Sequence, residues 1–326
     1  MARDESAGTQ LEQWISLGAT IVAPVTVLGA LLFYFGYVSS AAEYAYFGIN
    51  VDTIGLNTQA YIMRSPQTLL VPLLTLTLGG AGFLSLNVAV NKRIAPAVAG
   101  ATGQARRIRY LARMSRIPGL VMLVSGVLLL FLYAYVRDWS LYGLITPLLI
   151  GFGAAVIAYA SRVLNLLERA QGELELIAGK VPGTSPATTA LPMANRMDVQ
   201  VLARRTVNVL ICIVIAASAF WATATIAQWS GRGLAQYTAV HFDSLPSVIL
   251  DSKERLFLRD PGIQETVLPP SQGQTFHYRY RGLRLLIQGQ DRMFLVPEQW
   301  SASDSTLIVP LDDSVRVQFQ FQNQPP

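Results

Sequence analysis

Residues 206–228 read TVNVLICIVIAASAFWATATIAQ, twenty-three residues without a charge, preceded by Arg204 and Arg205 and followed by Trp229. A helix needs about 20 mostly apolar residues to cross roughly 30 Å of hydrocarbon. This stretch has that length, and its basic flank and aromatic boundary residue are the groups that favour a membrane interface. Four other stretches read the same way, at 14–38, 68–90, 118–136 and 141–160, and none of them carries Asp, Glu, Lys or Arg. Composition agrees: 52% of the 326 residues are hydrophobic and 14% charged, against about 25% charged in soluble domains, and the mean hydropathy is +0.39. The expected fold class is therefore an α+β membrane protein. About five transmembrane helices, over residues 1–228, precede a small all-β sandwich or barrel-like domain over residues 229–326.

The first stretch is read as a retained anchor and not as a cleaved signal. Asp4, Glu5 and Glu12 outnumber Arg3 ahead of it, and its apolar run exceeds the 7–15 residues usual for a signal core. Orientation follows from Lys and Arg near the span ends, which stay cytoplasmic. Residues 91–117 hold Lys92, Arg93, Arg106, Arg107, Arg109, Arg113 and Arg116 with no acidic residue, and residues 161–205 add six more basic groups. The alternate loops offer only Arg64 and Arg137. The expectation is a multi-pass protein of the cell membrane with a cytoplasmic N-terminus and an extracytoplasmic C-terminal domain. Arg outnumbers Lys 22 to 3 and Ala and Gly are abundant, a codon bias expected of a GC-rich bacterial genome.

Arg106, Arg109, Arg113 and Arg116 recur at spacings of 3, 4 and 3, which puts them on one side of a helix. Such a stripe can lie on an anionic inner leaflet, each Arg contributing about 1 kcal/mol. It can equally be a topology signal alone. Nucleic acid is not an expected partner, because the only nearby stacking residue is Tyr110. The linker is placed at 181–195, where Pro182, Gly183, Pro186 and Pro192 stand among Thr, Ser and Ala, after a helical stretch at 163–177 that prolongs span four. The aromatic loop between spans one and two, with Tyr44, Tyr46, Phe47 and Tyr61, is expected to form interfacial helices capped by Asn57 or Thr58, or else a lid over an outer cavity. Gly79-Gly80-Ala81-Gly82 and Gly151-Phe152-Gly153 are expected packing faces.

Beyond Trp229 the period shifts to short strands. Val315, Val317, Phe319 and Phe321 alternate with Arg316, Gln318 and Gln320, and this strand is expected to turn at Asp312-Asp313 back onto 306–309. Residues 283–287 and 293–296 read as a hairpin; 236–242, 248–250 and 275–280 are further candidates. No chemistry stands out. His241 and His277 lack companions for a metal site, the single Cys212 lies in an apolar run, and Gly179-Lys180 has neither the spacing nor the hydroxyl of a phosphate loop. No catalytic, cofactor-binding or metal-ligating residue is expected, and no charge is expected within the membrane, which weighs against ion-coupled transport. A homo-oligomeric pore lined by Thr20, Thr26, Thr75 or Thr77, or a complex with a partner membrane protein, remains compatible with the pattern.

Tyr34-Phe35-Gly36-Tyr37, Tyr44-Ala45-Tyr46-Phe47-Gly48-Ile49, residues 56–65 and Tyr280-Arg281-Gly282-Leu283-Arg284-Leu285-Leu286 resemble a group of actinobacterial multi-span membrane proteins with an outer C-terminal β domain. The resemblance spans about a tenth of the chain, implies the same architecture and carries no activity. The expected function is non-enzymatic: presentation of the β domain, with exposed Tyr278, Arg279, Tyr280 and Arg281, for binding or sensing. The alternative is a subunit of an oligomeric channel or transporter.

Overall fold

The computed structural model describes the backbone of residues 2–99, 103–136, 138–177, 190–299, 301 and 305–320; the side chains of 2–21, 93–99, 103–105, 172–177, 190–201, 203 and 204 lie outside that description. The helices are α1 (Ala2–Tyr46), α2 (Thr58–Ala99), α3 (Gly103–Phe131), α4 (Tyr133–Val136), α5 (Tyr142–Ile177) and α6 (Ala190–Val240). Among the described residues, five of them contain segments long and apolar enough to cross a membrane: Val22–Tyr46, Thr58–Lys92, Arg106–Phe131, Tyr142–Gln171 and Arg205–Val240. Helices are the form in which such segments satisfy every backbone group internally. Residues 181–189 of the expected linker lie outside the described residues, and α6 already begins at Ala190.

The chain divides into two compact units, Met1–Leu70 with Ala227–Pro326, and Val71–Ile226. In the second unit α3 and α5 meet with almost nothing between their backbones. A Cβ placed on Gly153 would stand 2.6 Å from the Leu123 amide nitrogen and 2.7 Å from the Gly119 carbonyl oxygen, and one on Gly126 would stand 2.6 Å from Ile150 Cγ1. Close approach through small residues is how apolar helices gain dispersion contact when lipid offers no hydrophobic drive. Further along the same pair, Ala112, Val163, Leu164 and Leu167 form a buried cluster joined by Val90, Ile108 and Tyr159. The α5–α6 contact adds a bond from the Thr225 hydroxyl to the Gly143 carbonyl at 2.8 Å. Gly79, Gly80 and Gly82 behave otherwise: a Cβ on any of them would meet nothing within 4 Å. Of the two expected packing faces, only the one on α5 packs within the described chain.

In the first unit the loop after span one is shorter than the sequence suggests, because α1 continues to Tyr46 and α2 starts at Thr58. Between them lies one 3₁₀ turn, Val51–Thr53. Asn57 caps α2, its side-chain oxygen accepting from the Ala60 amide at 2.8 Å, as anticipated.

Among the described residues six strands, β1 (Ser247–Ser252), β2 (Gln264–Val267), β3 (Tyr278–Gln288), β4 (Arg292–Pro297), β5 (Leu307–Pro310) and β6 (Val315–Gln320), form one antiparallel sheet in the order β5-β4-β3-β1-β6, with β2 also paired to β3. The β3–β4 hairpin is the expected one. Two expectations are corrected. Residues 236–240 are helical, because α6 runs on to Val240 and its apolar spacing suits a helix as well as a strand. The turn at Asp312-Asp313 does not return β6 onto β5: β6 pairs with β1, and β5 with β4.

β2 and β4 sit end to end along one edge of β3, and Gly282 marks the handover. Its φ of +79° suits glycine, and a Cβ there would lie 2.2 Å from the Gly262 carbonyl oxygen. β4 is buried on both faces. Met293 and Leu295 join Val248, Leu250, Tyr280, Leu283 and Val309 in one core, capped by Leu256, Leu258 and Ile263 from the β1–β2 connection. Phe294 and Val296, on the opposite face by strand alternation, join Ile287 in a second core with Tyr44, Phe47, Ile49, Val51, Ile54, Tyr61, Ala235 and Phe242. The sheet is thus a middle layer, with its own connection on one side and the ends of α1, α2 and α6 on the other.

Candidate functional site

Three polar constellations can be built from the described side chains. The first lies where α1, α2 and α6 come together in the first unit. Gly36 lets α1 approach α2, since a Cβ there would stand 2.0 Å from the Tyr61 carbonyl oxygen, and Gly231 does the same between α6 and α1, at 2.1 Å from the Ser39 carbonyl oxygen. Beside these contacts is a cavity of about 490 Å³ lined by Ser39, Ser40, Glu43, Arg64, Gln67, Thr68, Ser230 and Leu234. Arg64 faces Glu43 at 3.5 Å, donates to the Tyr44 hydroxyl at 2.6 Å, and has its guanidinium 5.4 Å from the Tyr44 ring centre. Tyr44 is also a member of the core shared with the sheet. One side chain therefore links Arg64 of the cavity wall to the apolar joint.

Sequence reasoning missed this pair. With span one ending at residue 38 and span two beginning at 68, Glu43 and Arg64 count as loop residues. The structure places Glu43 on α1 and Arg64 on α2, on helical turns outside those uncharged stretches, and brings the two together. Ser39 and Glu43, four residues apart and so on one helix face, were the available signal.

The second constellation is the expected arginine stripe. Arg109, Arg113 and Arg116 on α3 do share one side, and they line a cavity of about 630 Å³ with Ser161, Leu164, Asn165 and Glu168 of α5 and Val207 and Asn208 of α6. Arg109 is hydrogen-bonded to Gln171, and Arg116 donates to the Ser161 hydroxyl at 3.1 Å. Arg106, the fourth member, is exposed and is not among the lining residues.

The third constellation is in the sheet. Asp251, fully buried, is opposite Arg279 on β3 and Arg316 on β6. Arg279 grips it with two bonds of 2.8 and 3.0 Å, and Arg316 adds bonds of 2.6 and 3.2 Å. The Arg279 hydrogen bonds hold the Asp251 carboxyl below the usual carboxylate range, against the opposing effect of burial and with Arg316 assisting. Arg284, also buried, donates to the Asp243 and Leu245 carbonyl oxygens at 3.2 and 2.8 Å and pairs with Glu298, clamping the α6–β1 connection to the sheet. These arginines are structural. Tyr280 is fully buried, its hydroxyl accepting from the Leu256 amide at 2.8 Å. Of the four positions expected to be exposed, Arg281 alone is, because the polar residues of that run face partner strands that the sequence does not reveal.

His241 stacks on Tyr237 at 4.2 Å between ring centres, and His277 sits 3.2 Å from the Lys253 carbonyl oxygen. Among the described residues no cluster of three His, Cys, Asp or Glu is arranged to hold a metal ion. The Thr26, Thr75 and Thr77 hydroxyls bond to carbonyls of their own helices, and the Thr20 side chain lies outside the described residues. No protein-family model matches the sequence, and neither a curated protein nor a solved structure matches it significantly.

Proposed function

We propose that this is a non-enzymatic, multi-pass protein of the cell membrane whose C-terminal sheet domain binds or senses a partner or ligand outside the cell. The supporting observation is the joint between sheet and helices. Ile287, Phe294 and Val296 share one core with Tyr44, Phe47, Ile54 and Tyr61, and Gly289 sits so close to the helix-connecting turn that a Cβ on it would lie 2.1 Å from the Ile54 carbonyl oxygen. A sheet packed in this way has no flexible tether, so a load on it bears directly on the helix ends. Through Tyr44 and Arg64 it also bears on the Glu43 cavity. Phe257, Val267 and Phe319 are large apolar groups left exposed on the sheet domain at 68%, 66% and 55%, and they supply contact area for a partner.

The orientation in this proposal rests on the basic loops between the spans. Protease added to intact cells is expected to cut within residues 253–275 and to spare residues 103–117; the reverse pattern overturns it. Full-length protein in nanodiscs should retain an envelope component that F257A/V267A/F319A protein does not. Equal retention by empty nanodiscs refutes the binding role.

The alternative, a subunit of an oligomeric channel or transporter, draws on the uncovered Gly79, Gly80 and Gly82 face of α2, which a second helix can meet closely. Reproducible conductance in liposomes would favour it over the binding role.

A further inference from the structure

We propose that the cavity among α3, α5 and α6 is a binding site for a phosphate monoester or diester group, supplied by an anionic phospholipid headgroup or by a free phosphate. Three guanidinium groups, those of Arg109, Arg113 and Arg116, line one space of about 630 Å³ against a single carboxylate, Glu168. Like charges gathered this way repel unless an anion is shared among them. Arg is the side chain whose planar fork matches phosphate oxygens two at a time. Two of the three are already positioned by neutral groups, Arg109 by Gln171 and Arg116 by Ser161, so those contacts orient the guanidiniums without adding, among the described residues, a carboxylate to Glu168. Asn165 and Asn208 line the same space, and their amides can donate to the remaining oxygens.

Arg113, between the two anchored arginines, is exposed. This differs from a basic stripe lying on a surface, because Arg106, one turn before Arg109 on the stripe, is outside the cavity. The lipid source is favoured by the apolar residues farther along the helices. One turn beyond Arg113 and Arg116 on α3 are Ile117 and Leu120, and one to two turns beyond Val207 on α6 are Leu210 and Ile213. All four are more than half exposed, at 57%, 54%, 56% and 57%. Anionic headgroup and apolar tail would thus meet matching surfaces on the same two helices.

The test uses the full-length protein in mild detergent. Phosphatidylglycerol, phosphatidylcholine, glycerol phosphate and inorganic phosphate are added separately; thermal stability and lipid retained in native mass spectra are read. Phosphatidylglycerol is expected to be retained and to raise the melting temperature, with phosphatidylcholine much weaker. R113Q and R116Q should each weaken retention by roughly fivefold, whereas R107Q, which removes a charge from the same helix outside the cavity, should leave it near wild type. If inorganic phosphate or glycerol phosphate gives the full effect and the lipid adds none, the phosphate site stands and its source is soluble. Equal retention of the two lipids, or an equal loss in R107Q and R113Q, overturns the proposal. R113K separates recognition from folding: the charge is kept and the fork is lost, so retention should fall while the melting temperature without ligand holds.

Discussion

The sheet and the helix cavity each gather arginines, and the two gatherings have opposite logic. In the sheet, Arg279 and Arg316 converge on a buried carboxylate and Arg284 is matched by Glu298 and two carbonyls. In the cavity, three arginines share space with one glutamate, and two of them bond to neutral groups. Arginine count is therefore a poor guide to role; what matters is whether the charge is closed off by the fold or left for something else to close.

The contrast can be broken most forcefully at Asp251. Replacing it with Ala strands two guanidiniums on the sheet and is expected to cost on the order of 3 kcal/mol, the low end for a buried pair because both arginines keep some water. Denaturant titration of the solubilised chain checks this, and a loss below about 1 kcal/mol would mean the sheet's arginines are as open as those of the cavity. Next comes the scaffold that holds the cavity arginines. Gly153→Leu forces α5 away from Leu123 and Gly119 of α3 and should cost about 1–3 kcal/mol through overpacking, whereas Gly80→Leu, which meets open space, should be nearly silent in the same melt.

A smaller effect tests the closed cluster by titration. Because the folded-state pKa of Asp251 is depressed, its contribution is fully present above the unfolded value of about 3.9 and drains away as pH falls through that value toward the lowered one. Wild-type melting temperature should thus fall from pH 6 to pH 3 by more than that of D251N. The smallest effect belongs to the cavity: without ligand, R113Q should shift stability by no more than about 0.5 kcal/mol, as expected of an exposed charge on the cavity wall.

The helices are legible in the sequence because an apolar run long enough to span hydrocarbon is a one-dimensional property. The hairpin of β3 and β4 is legible for the same reason, its two strands being neighbours along the chain. The β6 partner is not: alternation at Val315, Val317 and Phe319 gives a face but not a register, and pairing with β1 rather than β5 is decided some sixty residues away. The helix ends are not legible, because α1 runs on to Tyr46 and α2 starts at Thr58, past the uncharged stretches, and so the helices bring together Glu43 and Arg64, which read as loop residues. The arginine stripe gives the correct helix side. What it cannot give is the cavity, because Ser161, Asn165 and Asn208 come from other helices, and the exclusion of Arg106 is set by where those helices run.

The joint at the end of α1 also fixes an order of events during synthesis. The Phe47 carbonyl oxygen accepts from the Thr306 hydroxyl, 259 residues later in the chain, and the apolar side chains around it wait for Phe294 and Val296 to cover them. Until β4 and Thr306 have been synthesised, the first hairpin carries an unfinished hydrophobic patch. Chains truncated before β4 should accordingly be held by chaperones or degraded, even with all five apolar helices intact.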